Sequence, residues 1–360
     1  MDRGGLALKH RTTYLRKRIK HAVVKPFAWL GIGLAWLLFT HVSHRILFFL
    51  CDLVGALYYR LDARGRKLAL ANLRVIRGKG PALRPGRVQL AFNVRNLEYD
   101  PDFREEIVIR RSYRNMSRTI GHIFWTSRKA LERAASVARL DDASRRFLED
   151  HKPAITVSAH LGCWEVLSQL VFMAGHPMVS VAKDIGTDAM TRLLMRSRKS
   201  IGQEIVPAEG AFRPLLQALK DGKDIGLLVD QFVRRRDGGL WVWFLGRPVC
   251  VSVAPAFLSA KTHVPIVVAW SRPLKDGTYR CETLATFAGD ARIDIRGRTK
   301  EIMAVLERVI RRHPSCWVLN YRYFSKGPEV EDFETLMAEA RLLSCNSRVY
   351  RHLNRSGNDR

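Results

Sequence analysis

Acidic residues are few in this sequence, and its cysteines form none of the usual metal-binding or disulfide patterns. The six cysteines stand apart at positions 51, 163, 250, 281, 316 and 345, without a CxxC pair or a Cys/His cluster at zinc spacing. We therefore expect reduced, cytosol-facing thiols rather than a disulfide framework or a zinc site. No repeat period, low-complexity tract or GxSxG serine-nucleophile motif occurs, which argues against a repeat protein and a serine hydrolase.

The charge is strongly unbalanced towards positive. Lys and Arg number 61 against 34 Asp and Glu, a formal net charge of +27, while 47% of the 360 residues are hydrophobic. That content is enough for one large or two small packed domains. The positive charge predicts an anionic partner, either nucleic acid, an anionic membrane surface or an acidic protein. Nucleic acid is not expected, because no zinc-finger or RNP motif accompanies the charge.

Residues 1–60 are predicted to form a basic leader and a membrane anchor. An apolar run occupies residues 27–39 (FAWLGIGLAWLLF), and after a polar interruption apolarity resumes up to Tyr59. We expect the first run to span or insert deeply into a membrane, and the second to lie along its interface. Because thirteen apolar residues fall short of a full span, a monotopic insertion, a buried soluble helix and a cleaved signal peptide stay open as alternatives.

The rest of the sequence, residues 61–360, predicts three parts. These are a helical arm at 61–149, an α/β core at 150–328, and a C-terminal helix and tail at 329–360. From residue 150, continuously apolar runs such as PAITVSA and DIGLLVD alternate with helical segments such as EVLSQLVFMA. Strands of this kind are typical of a sheet covered on both faces. The predicted fold class is α/β, a mixed sheet flanked by helices and preceded by the anchoring helix.

The segment PAITVSAHLGCWEVLSQLVFMAG, residues 153–175, predicts a site. A buried strand ends at Ala159, His160 follows at its carboxyl edge, and a helix begins near Trp164 with Glu165 in its first turn. In open α/β sheets, ligands bind at this edge. A carboxylate on one imidazole nitrogen leaves the other as a base, so His160 and Glu165 are candidate catalytic residues. The spacing also fits a structural histidine and a glutamate that favours a helix N-terminus.

The motif HLGCWE resembles the HxGNWE-like motif of the bacterial lipid A biosynthesis acyltransferase family. Further blocks resemble that family in the same order, among them LALANLRVI, RSRKSIGQEIVP, FRPLLQALKDGKDIGLLVDQ, WFLGRPVCVSVAPAFLSAKTHVPIVVAW and HPSCWVLNYRYF. The resemblance covers about residues 27–325. It departs at Cys163, where many family members carry Asn.

The resemblance implies transfer of an acyl chain from acyl carrier protein or acyl-CoA to a hydroxyl of a membrane lipid, a lipid A precursor or related glycolipid. It assigns His160 as general base and Glu165 as its support, with neither metal nor organic cofactor. Arg198, Asp230 and Gln231 are the expected substrate-binding residues, with Asp230 orienting either Arg198 or the acceptor. The implied location is the bacterial inner membrane, with the catalytic domain facing the cytoplasm.

Other functions stay open at this point. A lipid hydrolase or thioesterase would use water in place of the acceptor hydroxyl, and lysophospholipids or aminolipids are alternative acceptors. Cys163 beside His160 also permits a covalent acyl-thioester enzyme. A non-enzymatic basic protein that binds membranes or nucleic acid is the remaining class.

Overall fold

The computed structural model describes residues 31, 33–34, 36–79, 101–150, 153–182, 191–192, 195–196, 198–199, 203–324, 327–329, 332 and 334–339. The predicted leader, the start of the apolar run 27–39 and the tail beyond residue 339 lie outside these residues. The structure therefore addresses the arm and the α/β core most fully.

Nine helices are bounded within the described residues. They are α1 (His44–Leu61), α2 (Ala63–Ile76), α3 (Phe103–Trp125), α4 (Ala130–Val137), α5 (Asp142–Asp150), α6 (Trp164–Met173), α7 (Phe212–Lys220), α8 (Ala254–Thr262) and α9 (Ile295–Arg312). Short 3₁₀ turns occupy Arg235–Asp237 and Pro314–Cys316. Residues 36–41 are also helical.

A seven-stranded mixed sheet forms the core, in the order β1-β9-β8-β2-β5-β3-β4. Its strands are β1 (Ala138–Leu140), β2 (Ile155–Ser158), β3 (Met178–Ala182), β4 (Glu204–Pro207), β5 (Asp224–Leu228), β8 (Ile266–Pro273) and β9 (Tyr279–Phe287). Strands β8, β2, β5, β3 and β4 run parallel, whereas β9 is antiparallel to β8 and carries β1 along its other side. A separate hairpin pairs β6 (Gly239–Phe244) with β7 (Arg247–Ser252).

Hydrophobic cores cover both faces of the sheet. Successive residues of a strand point to opposite faces, so one strand contributes side chains to both cores. In β8, Ile266 and Val268 belong to the core formed with α7, α8 and α9, whereas Val267 and Ala269 belong to the core formed with α5 and α6. All four residues of β2 are buried. The predicted α/β class, with helices on both faces of a sheet, is confirmed.

The helical arm packs on this core through α3. Helix α1 lies against α3 so closely that a Cβ at Gly55 would come within 2.9 Å of the Arg114 Cα. Beside this contact the Arg118 guanidinium donates two hydrogen bonds of 2.7 Å to the Asp52 carboxylate. One face of α1 is thereby fixed to the protein.

The opposite face of α1 is apolar and exposed. Its large side chains that are at least 38% exposed are Ile46, Phe49, Leu53, Val54, Leu57, Tyr58 and Leu61. Over the described stretches of the chain, no helix combines the length and apolarity needed to cross a membrane. The predicted spanning helix thus gains no support, and the exposed face of α1 is the apolar surface that the structure presents.

Candidate active site

His160 and Asp230 meet at the carboxyl edge of the sheet. Strands β2 and β5 are parallel neighbours with Ser158 opposite Leu228, so the residues two positions further along, His160 and Asp230, emerge side by side. The imidazole Nδ1 lies 2.8 Å from Asp230 Oδ1, and the His160 backbone N–H donates to Asp230 Oδ2 at 3.1 Å. The two strand ends therefore build a histidine–aspartate pair.

Asp230 is fully buried and remains ionised. Burial alone would raise its pKa, but the electrostatic interaction with His160 and hydrogen bonds from His160 and from the Trp317 indole hold the pKa below its ordinary value. The indole Nε1–H donates to Asp230 Oδ2 at 2.9 Å. A carboxylate accepts only, so Nδ1 of His160 carries the proton and the Nε2 lone pair is left for a substrate.

Two further side chains hold the imidazole ring, which is 22% exposed. The Trp164 ring meets it edge-on at 5.0 Å between centroids. The Gln231 amide nitrogen lies 3.2 Å from Nε2 and 3.4 Å from Nδ1. The shorter of these contacts is the one to Nε2, the nitrogen that Asp230 does not engage. Trp164 and Gln231 therefore both help to hold the ring in place.

Glu165 lies in the first turn of α6, as expected, but its partner differs from the expected one. Its carboxylate receives hydrogen bonds of 2.6 and 3.2 Å from the Arg198 guanidinium, and one of 3.0 Å from the Trp164 indole. Burial would lower the pKa of Arg198, but the Glu165 charge raises it. The orienting contact predicted for Glu165 is made instead by Asp230, because strand register brings Asp230 to Nδ1. Asp230 likewise does not orient Arg198.

The turn between His160 and α6 depends on Gly162. Its φ is +64°, and a Cβ there would overlap the backbone oxygen of Ser271. Its N–H donates to the carbonyl of Cys316 at 2.8 Å. Glycine is required because only it fits this left-handed conformation beside a neighbouring strand.

Cys163 is fully buried beside the site. Burial raises the pKa of its thiol to about 12, so the thiolate that a covalent mechanism needs is not available near neutral pH. The covalent alternative raised by the sequence is therefore disfavoured. Across the described ranges, no group of three His, Cys, Asp or Glu side chains is arranged to hold a metal ion.

Trp317 is the site residue to which the sequence assigned no role. It is 1% exposed, stacks on Tyr323 at 3.9 Å and donates to the buried oxygen of Asp230. The backbone around it runs antiparallel to the His160 turn, with the Val318 N–H donating to the His160 carbonyl at 3.2 Å. The only signal in the sequence was its place in the HPSCWVLNYRYF block.

A histidine hydrogen-bonded to a buried carboxylate, at the carboxyl edge of a parallel-dominated α/β sheet, is an arrangement that is chemically capable of general-base catalysis. A profile of the bacterial lipid A biosynthesis acyltransferase family matches residues 98–326, well over half of the chain. The chain belongs to this family.

Two relatives agree with that assignment. A phosphatidylinositol mannoside acyltransferase of Mycolicibacterium smegmatis is 26% identical over 119 residues, 32% of this chain and 38% of that protein. One of Mycobacterium tuberculosis is 22% identical over 170 residues, 46% of this chain and 52% of that protein. The chain spans about half or less of the length of these relatives. The predicted family is confirmed, and the family and both relatives carry the predicted description of acyltransferases.

Proposed function

We propose that the protein transfers a fatty acyl chain from an acyl thioester, carried by acyl carrier protein or coenzyme A, to a hydroxyl of a membrane glycolipid. The observation that carries this proposal is the His160–Asp230 pair, in which the carboxylate engages Nδ1 and leaves Nε2 as the basic nitrogen. The family match supports acyl transfer, and the name of the relatives, phosphatidylinositol mannoside acyltransferase, supports a glycolipid acceptor. A lipid A precursor is the acceptor that the family description suggests.

In the proposed reaction the neutral His160 is the general base. Its Nε2 takes the proton of the acceptor hydroxyl as that oxygen bonds to the thioester carbonyl carbon. The tetrahedral intermediate then expels the thiolate, which takes the proton from the imidazolium, so the products are an ester and a free thiol. Asp230 stabilises the imidazolium and fixes its tautomer, an assistance typically worth roughly 10²–10⁴-fold in rate.

The other predicted residues act around this pair in the proposal. Glu165 acts on His160 through Trp164. The Glu165 carboxylate accepts a hydrogen bond from the Trp164 indole, and the ring of Trp164 contacts the imidazole. Arg198, with its side chain 12% exposed, holds Glu165 in place. Gln231 contacts the His160 imidazole and lies beside the position of the reacting hydroxyl, so that it also contacts the bound substrate.

Membrane contact through α1 is part of the proposal. The exposed apolar face of α1 suits burial in the headgroup and acyl boundary, and the exposed Arg45, Arg60 and Arg64 lie near its ends. Such basic side chains are attracted to anionic lipid headgroups. We place the enzyme at the bacterial inner membrane with its catalytic domain on the cytoplasmic side, where either donor is available.

The test is acyl transfer by detergent-purified protein. Labelled acyl carrier protein and acyl-CoA are each offered with lipid A precursors, phosphatidylinositol mannosides, lysophospholipids and aminolipids. We expect acylated glycolipid from wild type and none from His160→Ala. The matched control is His263→Asn, because His263 is exposed at the end of α8, in a left-handed conformation that Asn tolerates.

Three results would contradict parts of the proposal. Free fatty acid without acylated lipid would identify a hydrolase or thioesterase instead. Acylation of lysophospholipids or aminolipids in preference to glycolipids would change the acceptor class. Activity of His160→Ala equal to that of the wild type would remove His160 as the base.

A further inference from the structure

A buried asparagine of the arm holds the chain segment that completes the site. Asn72 lies on α2, within the LALANLRVI block, and is 1% exposed. Its amide donates to the carbonyls of Leu319 and Tyr321, both at 2.7 Å. Both amide hydrogens are therefore used, and both go to one short segment 247 and 249 residues away in sequence.

That segment contacts His160 and its partner directly. The Cys316 carbonyl accepts the Gly162 N–H, the Val318 N–H donates to the His160 carbonyl, and the Trp317 indole donates to Asp230. Segment 316–321 therefore lies between the amide of Asn72 on one side and both members of the catalytic pair on the other.

A second arm residue holds the same segment. Ser112 of α3 is 4% exposed, and its hydroxyl donates to the Trp317 carbonyl at 2.7 Å and receives the Leu319 N–H at 3.3 Å. Asn72 of α2 and Ser112 of α3 thus both hold the 316–321 segment from the arm. The α/β core supplies the base and the carboxylate, and the arm supplies the support that keeps the indole on the carboxylate.

We propose that Asn72 is a positioning residue of the active site, which acts through the 316–321 segment and Trp317 to set the orientation of Asp230 and so of His160. The kinetic part of this proposal rests on the proposed function. Without the amide, the buried Leu319 carbonyl loses its donor and the Tyr321 carbonyl keeps only the Tyr323 N–H, so the segment is free to shift to satisfy the Leu319 carbonyl. A shift would lengthen the indole–carboxylate hydrogen bond, on which the alignment of the base depends.

The experiment compares Asn72→Ala with Asn320→Ala. Asn320 lies in the same segment, but its amide contacts only the Tyr58 hydroxyl at 3.3 Å on the protein surface. We measure kcat and KM for acyl transfer below the unfolding temperature of each variant. The second readout is the indole N–H resonance of Trp317 in ¹H–¹⁵N spectra, identified as the one that Trp317→Phe removes.

For Asn72→Ala we expect kcat to fall about tenfold or more, with KM changed much less, and the Trp317 resonance to move. Asn320→Ala should match wild type in both readouts. If Asn72→Ala does not fold, Asn72→Ser replaces it, since its hydroxyl keeps one donor, and a smaller loss of kcat with the same resonance shift is expected.

The proposal is overturned if a folded Asn72 variant keeps kcat within about twofold of wild type, or if the Trp317 resonance is unchanged. An equal effect of Asn320→Ala would also overturn it, because the segment would then respond to any loss of contact. The resonance does not depend on turnover. Failure of the wild-type protein to transfer acyl groups would therefore count against the proposed function and leave this test valid.

Discussion

Acidification should destabilise the protein through His122, a buried residue of α3 whose imidazole contacts Gln169 of α6. The imidazole is fully buried, and its Nε2 lies 3.1 Å from Gln169 Oε1 while Nδ1 is buried without a hydrogen-bond partner. Burial lowers its pKa from 6.5 to about 4. The Gln169 hydrogen bond and the Glu165 charge raise it slightly, and the nearby His44 lowers it.

The sign and the size of the effect follow from this pKa. Above pH 6.5 the imidazole is neutral in both the folded and the unfolded chain, so its contribution does not vary with pH. Between pH 6.5 and about 4 the unfolded chain takes up a proton that the folded chain does not, and stability falls as pH falls. The difference amounts to roughly 3 kcal/mol at the acid end, at 1.36 kcal/mol for each pKa unit.

The assay is urea unfolding of wild type and His122→Gln at several pH values between 7 and 4. Glutamine keeps a hydrogen-bond donor for Gln169 but does not titrate. The pH dependence that comes from all other groups therefore cancels in the difference between the free energies of unfolding of the two proteins. We expect the stability difference between variant and wild type to shift in favour of the variant by about that amount on acidification. Parallel pH dependences would refute the assignment of a buried, neutral His122.

Three further predictions concern the site and the arm. Asp230→Asn should lower kcat for acyl transfer by roughly 10²–10⁴-fold, because an amide neither fixes the tautomer nor stabilises the imidazolium; a near-wild-type rate would contradict this. Gly162→Ala should lower the free energy of unfolding by about 1–3 kcal/mol or more, since strain at positive φ adds to overlap with Ser271, and an unchanged unfolding midpoint would be contrary evidence. Replacing Phe49 and Leu57 by Asp should reduce co-flotation with anionic vesicles while leaving Tm nearly unchanged, because both side chains are more than half exposed; undiminished flotation would place the membrane contact elsewhere.

The sequence was sufficient to predict the strands that carry the site. PAITVSA and DIGLLVD are continuously apolar because β2 and β5 are covered on both faces, and these runs correspond to Ile155–Ser158 and Asp224–Leu228. His160 was predicted as a site residue from its place just past such a strand, and Asp230 was predicted as a substrate-binding residue from the family resemblance.

The pairing within the site was beyond local sequence reasoning. Glu165 is five residues from His160, whereas Asp230 is seventy residues away, and proximity along the chain favours the nearer carboxylate. Strand register decides otherwise, and register depends on contacts between distant segments. The antiparallel β9 was not predicted either, because only Tyr279 and Cys281 of its residues are buried and its apolar pattern is weaker than that of β2.

The hydrogen bonds of Asn72 also set the order in which a competent enzyme is assembled. They join residues that are 247 and 249 positions apart. The arm therefore leaves the ribosome long before the 316–321 segment is synthesised. Until residue 321 has been synthesised and released, the segment lacks its full set of hydrogen bonds to Asn72, and before Trp317 is in place Asp230 lacks its third donor. A nascent chain, or one truncated before residue 321, therefore has the residues of the sheet and of the histidine–aspartate pair, yet it lacks hydrogen bonds that support the alignment of the proposed base.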